Sequence, residues 1–150
     1  MPSADRERTT PLDEQLCFAL YTASRAMTSA YRPMLDRLGL TYPQYLVMLV
    51  LWERGDSAVT GIGQALQLET GTLSPLLKRL EAAGMITRTR QAGDERSVLV
   101  GLTDAGRALE GRVADVQRDV RRCTGMDGDD IVDLRATLQS LTAGLRSATG

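Results

Sequence analysis

The feature that most constrains the fold is a change of hydrophobic period at Gly84. Before this glycine, apolar residues recur every three or four positions, which indicates amphipathic helices. After it, Ile86–Arg90 and residues 97–100 read as alternating segments, which indicates the two strands of a hairpin. Two short helices, predicted to open near Thr60 and Thr70, directly precede this hairpin. The sequence therefore predicts a mainly α fold with a small β-hairpin wing, an α+β arrangement known as a winged helix-turn-helix.

Helix signals continue on both sides of this region. Thr10 is expected to cap the first helix, with Pro11 in its first turn. Thr41 and Gln44 form a capping-box pattern ahead of a second helix. This second helix is apolar almost all round, so we expect it at the centre of the core. After the hairpin we expect one long polar helix and then a last amphipathic helix.

The chain is expected to form a single domain over residues 1–150, with residues 41–103 as the winged helix-turn-helix lobe. The segments 10–40 and 104–147 carry apolar stripes for which so small a domain offers no obvious partner. In the last helix the stripe has a heptad-like spacing. Its members are Ile131, Leu134, Leu138, Leu141 and Leu145. We therefore expect a homodimer that is joined mainly through both terminal segments.

Composition excludes most enzymatic and metal chemistry. The chain has no histidine, which removes the usual general base, the Ser-His and Cys-His pairs and the most common metal ligand. Its two cysteines, Cys17 and Cys123, are too few for a four-thiolate zinc site and too far apart for a CxxC redox motif. We therefore expect a protein that is not an enzyme and that binds no metal and no cofactor.

The sequence shows no membrane segment and no secretory signal. Its longest wholly apolar run, residues 45–52, is far shorter than the roughly 20 residues that a membrane helix needs. The first ten residues are charged and lack an apolar h-region. We therefore expect a cytoplasmic protein with no membrane partner.

The overall charge does not by itself favour a nucleic-acid partner. Eighteen basic and nineteen acidic residues give a formal charge of −1, whereas DNA-binding domains are often strongly basic. From Lys78 to Arg96, however, five basic residues face three acidic ones, a local excess of 5 − 3 = +2. Two such patches in a dimer would strengthen binding, and we expect that binding to be sensitive to salt.

The second short helix has the two faces that a recognition helix needs. Four leucines between positions 73 and 80 share one face, and small polar and basic residues occupy the other. Either Thr70 begins this helix or Ser74 caps it with Pro75 as its first residue. The candidate DNA contacts are Thr70, Thr72, Ser74, Pro75, Lys78 and Arg79. The alternative is an ordinary surface helix with solvated charges.

The hairpin concentrates positive charge beside a Gly-Asp turn. Arg88, Arg90 and Arg96 place three guanidinium groups on one ribbon, where they can follow the DNA backbone or enter the minor groove. Asp94 precedes Arg96 by two residues and is placed to hold that arginine extended. The alternative is an exposed hairpin whose charges serve solubility.

Several motifs resemble known families. The segments LLKRLEAAGMI at 76–86, DER at 94–96 and LTDAG at 102–106 resemble the MarR group of dimeric winged-helix regulators. The segment LDEQLCFALYTASRAMTSAYRPMLDRLGLTYPQYLVMLVLWE at 12–53 resembles the organic-hydroperoxide sensor branch, OhrR. The likeness covers roughly residues 11–122 and implies a regulator that binds double-stranded operator DNA.

Cys17 lies in the motif LCFALY on the first predicted helix. A lone cysteine among apolar neighbours is most often an inert core residue. The resemblance instead implies that Cys17 is the peroxide-reactive thiol, which must be ionised to react. If Thr10 caps the helix, Cys17 lies in about the second turn, so the helix dipole should support the thiolate only weakly. We therefore expect neighbouring hydroxyl groups to supply much of the stabilisation.

Three tyrosines are candidate donors to that thiolate. Tyr21 follows Cys17 by four residues and lies on the same helix face, within reach in its own chain. Tyr31 follows it by fourteen residues, roughly 21 Å along the axis but within about 40° of the same face. Two antiparallel copies of the helix would bring Cys17 of one chain near Tyr31 of the other, and Tyr42 can join it. The resemblance implies this arrangement, whereas the alternative role of Tyr31 and Tyr42 is amphipathic interface packing.

Cys123 decides the chemistry after oxidation. A sulfenic acid on Cys17 condenses with a thiol that can reach it. The resemblance to two-cysteine sensors implies that Cys123 is this resolving thiol. If it is, we expect the disulfide to join two subunits, because both terminal regions are expected to meet at the dimer interface. Arg121 and Arg122 are cations that would favour its thiolate. The alternative is an exposed spare thiol, with small-molecule thiols capping Cys17.

The sequence thus predicts a homodimeric repressor that leaves its operator when an organic hydroperoxide oxidises Cys17. One alternative is a regulator of the same type that is released by a small aromatic effector, with Cys17 merely buried. A second is a thiol peroxidase, which would leave the helix-turn-helix and the wing arginines unexplained. A third is a purely structural dimerisation module.

Overall fold

The computed structural model describes residues 8–93 and 97–150. The helices and strands of this part are α1 (Leu16–Asp36), α2 (Tyr42–Arg54), β1 (Ser57–Ala58), α3 (Val59–Leu66), α4 (Thr70–Ala82), β2 (Ile86–Arg90), β3 (Val98–Leu102), α5 (Asp104–Ala108), α6 (Glu110–Cys123) and α7 (Gly128–Thr149). The chain divides into two compact units, residues 1–116 and 117–150. None of the described helices is long and apolar enough to cross a membrane.

The first helix begins later than the sequence predicted. Pro11 precedes a short 3-10 turn, Leu12–Glu14, and Gln15 then adopts an extended backbone with φ −79° and ψ 122°. Because that extended residue interrupts the helical path, α1 starts at Leu16 rather than after Thr10. The prediction that Thr10 caps α1 is therefore wrong, and Cys17 is the second residue of the helix.

Helix α2 forms the centre of the core, as predicted. The Thr41 hydroxyl accepts a hydrogen bond from the Gln44 amide, and the Gln44 side chain accepts one from the Thr41 amide, so the capping box is confirmed. Its buried side chains include Val47, Met48 and Leu51. This helix packs against α1, α3 and α4, which fixes the base of the helix-turn-helix.

The helix-turn-helix consists of α3 and α4 with a tight turn between them. Gln67 ends α3 in the left-handed region, with φ 58°. A Cβ atom on Gly63 would lie 2.9 Å from the Leu68 carbonyl oxygen, so the turn requires glycine there. Thr70 begins α4 and Pro75 lies inside it, which settles the two starts that the sequence allowed.

The wing is a three-stranded antiparallel sheet in the order β1-β3-β2. The predicted hairpin is confirmed, with Arg88 opposite Val100 in the register. The sequence analysis missed β1, whose Ser57 pairs with Val100. Two residues are too few to show an alternating pattern, so only the tertiary pairing reveals this strand.

The motif LTDAG joins the end of the wing to the end of α4. The Thr103 hydroxyl donates to the Gly84 carbonyl at 2.6 Å and accepts from the Gly106 amide, capping α5. A Cβ atom on Gly106 would overlap the Met85 carbonyl oxygen, so α5 can approach the segment between α4 and β2 this closely only at glycine. The predicted single long helix is divided at Leu109 into α5 and α6.

The second unit consists of the end of α6 and the whole of α7. Asp127 caps α7 by accepting a hydrogen bond from the Asp130 amide. No residue of α7 is buried. The large apolar side chains that it leaves exposed are Val132, Leu134, Leu138 and Leu145.

Candidate DNA interface and redox thiol

Helix α4 has the two faces that the sequence predicted. Leu73, Leu77 and Leu80 are buried against the core. All six candidate DNA contacts on this helix are exposed, namely Thr70, Thr72, Ser74, Pro75, Lys78 and Arg79. The arrangement leaves small polar groups near the N-terminus of α4 and positive charge further along it, which suits insertion into a major groove.

The wing arginines do not share one environment. Side chains alternate between the faces of a strand, so Arg88 and Arg90 lie on the same face of β2 as the buried Ile86. Arg88 donates from Nη2 to Oε1 of Glu81 on α4 at 3.0 Å and is only half exposed. Arg90 is exposed. The predicted contacts Asp94 and Arg96 lie outside the described residues.

The hydrogen bond from Arg88 lowers the pKa of Glu81 below the usual value for a glutamate, with a further contribution from the opposite charge. Glu81 is therefore ionised at neutral pH. Among the residues that the structure describes, Arg90 is an exposed cation without an ion pair, whereas the charge of Arg88 is engaged by Glu81.

Cys17 is an exposed, unbridged thiol in the first turn of α1. Its Sγ lies 3.7 Å from Oε1 of Gln15, to which the thiol donates a weak hydrogen bond. The Gln15 amide group donates in turn to the Thr10 carbonyl oxygen at 3.0 Å. Gln15 was not among the residues predicted from the sequence. Only the extended break before α1 places its side chain beside the sulfur.

The thiol lies on an unusually apolar surface. Leu12, Leu16 and Phe18 are large apolar residues close to it in the chain, and all are exposed; Leu16 retains 62% of its accessible surface. Tyr21 is also exposed, and its ring faces the Arg25 guanidinium at 5.4 Å rather than hydrogen bonding to Cys17. The described part of the chain shows no hydrogen bond between Tyr21 and Cys17 within one subunit, and the supporting role of Tyr21 stays a prediction.

The other two predicted tyrosines lie together, at the end of α1 and the start of α2. The rings of Tyr31 and Tyr42 are 5.2 Å apart. Tyr45, which the sequence analysis missed, completes the cluster at 5.3 Å from Tyr31 and 5.7 Å from Tyr42. Tyr45 follows Tyr42 by three residues, about one helical turn, and this spacing could have identified it from the sequence. Burial, with a smaller effect from Tyr45, raises the pKa of Tyr42 above the usual value for a tyrosine, so its phenol is a proton donor at neutral pH.

Cys123 has a different setting from Cys17. It is exposed and unbridged, and it is the last residue of α6. Arg121 and Arg122 precede it in the last turn, and the Arg122 guanidinium lies 3.9 Å from the Asp119 carboxylate. No cluster of three or more potential metal ligands occurs in the described ranges 8–93 and 97–150.

Comparison with known proteins shows the family to which the chain belongs. A family model for the transcriptional regulator SarA/Rot matches residues 29–111. The organic hydroperoxide resistance transcriptional regulator of Bacillus subtilis is 45% identical over 130 residues, which cover 87% of this chain and 88% of that protein. The chain belongs to the winged-helix regulators of the MarR type, in the OhrR branch.

Solved structures of related regulators support the same assignment. Reduced AbfR of Staphylococcus epidermidis, bound to DNA, has 33% identity and a TM-score of 0.80, covering 93% of this chain and 95% of its own. A disulfide form of AbfR has 37% identity and a TM-score of 0.66, covering 87% and 92%. This OhrR-type regulator is therefore a winged-helix transcriptional regulator whose relatives are DNA-binding proteins rather than enzymes.

Proposed function

We propose that this regulator is a homodimeric repressor that binds operator DNA when Cys17 is reduced and is released when an organic hydroperoxide oxidises Cys17. The observation that carries the proposal is the position of the thiol. It is exposed, in the first turn of a helix, and its close neighbours in the chain include exposed apolar residues. Negative charge is stabilised at that end of a helix, which supports the reactive thiolate.

The exposed apolar residues of both terminal segments support the dimer. Leu16 and Met27 on α1, with Leu134 and Leu145 on α7, are large side chains open to water in the single chain. A second copy of the chain would cover them. We assign the segments 10–40 and 104–147 mainly to this interface, and residues 41–103 to the DNA-binding lobe of a single domain.

The tyrosine cluster supports a thiol site shared between subunits. Tyr31 lies about 21 Å along α1 from Cys17, beyond contact within one chain. Antiparallel packing of two α1 helices would bring Tyr31 and Tyr42 of the partner subunit to the sulfur. The protonated Tyr42 phenol is then a donor to the thiolate.

The chemistry balances in two steps. The Cys17 thiolate attacks the terminal oxygen of the hydroperoxide; an S–O bond forms, the O–O bond breaks, and the alkoxide leaves as the alcohol after taking a proton. Sulfur loses two electrons, which the peroxide gains. The Cys123 thiol then attacks the sulfenic sulfur, forming an intersubunit S–S bond and releasing water.

Oxidation would release DNA through the geometry of the dimer. Two recognition helices must keep a spacing of about 34 Å to occupy successive major grooves. A disulfide that draws the terminal helices together would change this spacing. The DNA side of the complex uses the exposed polar face of α4, with Arg90 and the wing residues Asp94 and Arg96.

The test is fluorescence anisotropy on promoter DNA with reduced and cumene hydroperoxide-treated protein, with non-reducing gel electrophoresis in parallel. We expect loss of DNA binding to coincide with a covalent dimer, and cumene hydroperoxide to react faster than hydrogen peroxide because the thiol's surroundings are apolar. Equal rates for the two oxidants would contradict the assigned oxidant class. Turnover of many peroxide equivalents with a thiol reductant would indicate a peroxidase instead.

A further inference from the structure

We propose that Glu81 is a positioning residue for DNA binding, which fixes the wing strand β2 against α4 through its ion pair with Arg88. This inference rests on the proposed function, because it concerns how α4 and the wing engage DNA together. It also gives Arg88 a different role from the DNA contact that the sequence suggested.

The two DNA-reading elements need a fixed relation to each other. Helix α4 ends at Ala82 and β2 begins at Ile86, so residues 83–85 form the covalent connection. A recognition helix in the major groove and a wing on the adjacent backbone contact DNA at two separate places. If the angle between the two elements changes, only one of them can be seated correctly.

The ion pair bridges these two elements directly. Nη2 of Arg88 lies 3.0 Å from Oε1 of Glu81, and the two side chains retain 31% and 40% of their accessible surface. The Arg88 Nε atom is buried and has no hydrogen-bond partner in the part of the chain that the structure describes. The guanidinium group is therefore held between strand and helix instead of extending towards a DNA backbone.

The position of Glu81 is difficult to explain without this role. It lies in the last turn of α4, where the helix dipole disfavours negative charge. It also places a carboxylate on the element proposed to approach phosphate groups, which it would repel. Both effects act against a glutamate, whereas the contact with Arg88 gives the residue a structural purpose.

The decisive test is Glu81→Gln, since two interpretations predict opposite signs. If only charge matters, removal of a negative charge near DNA tightens binding. If the ion pair positions the wing, binding of the reduced protein weakens, and we expect an increase in Kd of about three- to tenfold, the loss that a few misplaced contacts produce. Glu53→Gln, at an exposed carboxylate on α2, makes the same charge change as a matched control.

The salt dependence separates positioning from phosphate contact. A lost phosphate contact lowers the slope of log K against log salt by about one per site. We expect Arg90→Gln to lower the slope in this way, and Glu81→Gln and Arg88→Gln to leave it unchanged while raising Kd. A slope reduced by Arg88→Gln would overturn the proposal.

A double-mutant cycle completes the test. If Glu81 and Arg88 act as one unit, Arg88→Gln raises Kd much less in the Glu81→Gln background than in the wild type. Thermal unfolding of each variant without DNA checks that the lobe remains folded; an ion pair this exposed contributes little to stability. If the wild type binds DNA and releases it on peroxide treatment, unchanged or tighter binding by Glu81→Gln refutes this inference but not the proposed function. Failure of the wild type to bind promoter DNA refutes the proposed function as well.

Discussion

The two cysteines of this regulator lie in different helices, Cys17 at the N-terminal end of one and Cys123 at the C-terminal end of the other. Cys17 is the second residue of α1, where the free backbone amides of the first turn favour negative charge. Cys123 is the last residue of α6, where the free carbonyl groups disfavour it, although Arg121 and Arg122 supply compensating charge. Both thiols are exposed and unbridged. The two thiols therefore share their exposure and differ in the end of the helix at which each one lies.

The surroundings reinforce this difference. The region around Cys17 is apolar, with Leu16 and Phe18 beside it, and a side-chain amide from Gln15 contacts the sulfur. The region around Cys123 is charged, with an Arg122–Asp119 contact one turn back. Under the proposed function, the apolar surroundings of Cys17 would favour the approach of an organic hydroperoxide, and the charged, solvated Cys123 would be the thiol that acts second.

The largest effect is expected from Cys17→Ser. A serine hydroxyl cannot form a sulfenic acid, so peroxide should no longer release the protein from DNA, and the ratio of oxidised to reduced Kd should fall to about one. Anisotropy titrations before and after cumene hydroperoxide measure this ratio. A variant that still leaves DNA on peroxide treatment would move the sensing role away from α1 and favour release by an effector.

Cys123→Ser should separate oxidation from resolution. We expect the variant to consume one equivalent of hydroperoxide at Cys17, but to form no covalent dimer on a non-reducing gel, because the second thiol is missing. Intact mass spectrometry should detect the sulfenic acid or its adduct with a trapping reagent. A covalent dimer in this variant would show that Cys17 bridges to something other than Cys123.

Tyr42→Phe should slow oxidation of Cys17 without altering Cys123. A hydrogen bond to a charged group contributes about 1.5–3 kcal/mol, so loss of the phenol should reduce the rate by about tenfold or more. Stopped-flow measurement of thiol loss under single-turnover conditions gives this rate. Tyr21→Phe is the matched control, because the Tyr21 ring contacts Arg25 and its hydroxyl is not bonded to the thiol. Equal rates for the two variants would argue against a shared site.

Gln15→Leu should have the smallest effect, a two- to threefold change in the rate of Cys17 oxidation. The hydrogen bond between Gln15 and Cys17 is long and exposed, and such neutral bonds contribute about 1 kcal/mol or less. The same rate assay detects the change. An effect as large as that of Tyr42→Phe would mean that the amide, rather than the phenols, controls the thiolate.

Local signals predicted most of the elements. The capping box at Thr41, the apolar run of α2 and the alternation in β2 each act over a few residues, so they can be recognised in the sequence without knowledge of distant contacts. The exposed polar face of α4 follows from the same helical period. Strand β1 was missed because it exists only through its pairing with β3.

The site was predicted less completely than the fold. The roles predicted for Cys17, Tyr31 and Tyr42 stay predictions, and the start of α1 was placed too early, which put the thiol in the second turn instead of the first. Threonine followed by proline is a good start signal, yet the extended conformation of Gln15 competes with it. Helix boundaries depend on such local competition, which propensities do not resolve.

The sequence by itself determined the order of the elements and the positions of the two cysteines, because hydrophobic period, caps and residue chemistry are local properties. Tertiary structure decided which side chains meet. It placed Arg88 against Glu81, Tyr45 against Tyr31 and Tyr42, and Gln15 against Cys17. These contacts depend on how one element packs on another and on where a helix begins, and no periodic pattern within a single segment encodes such distances.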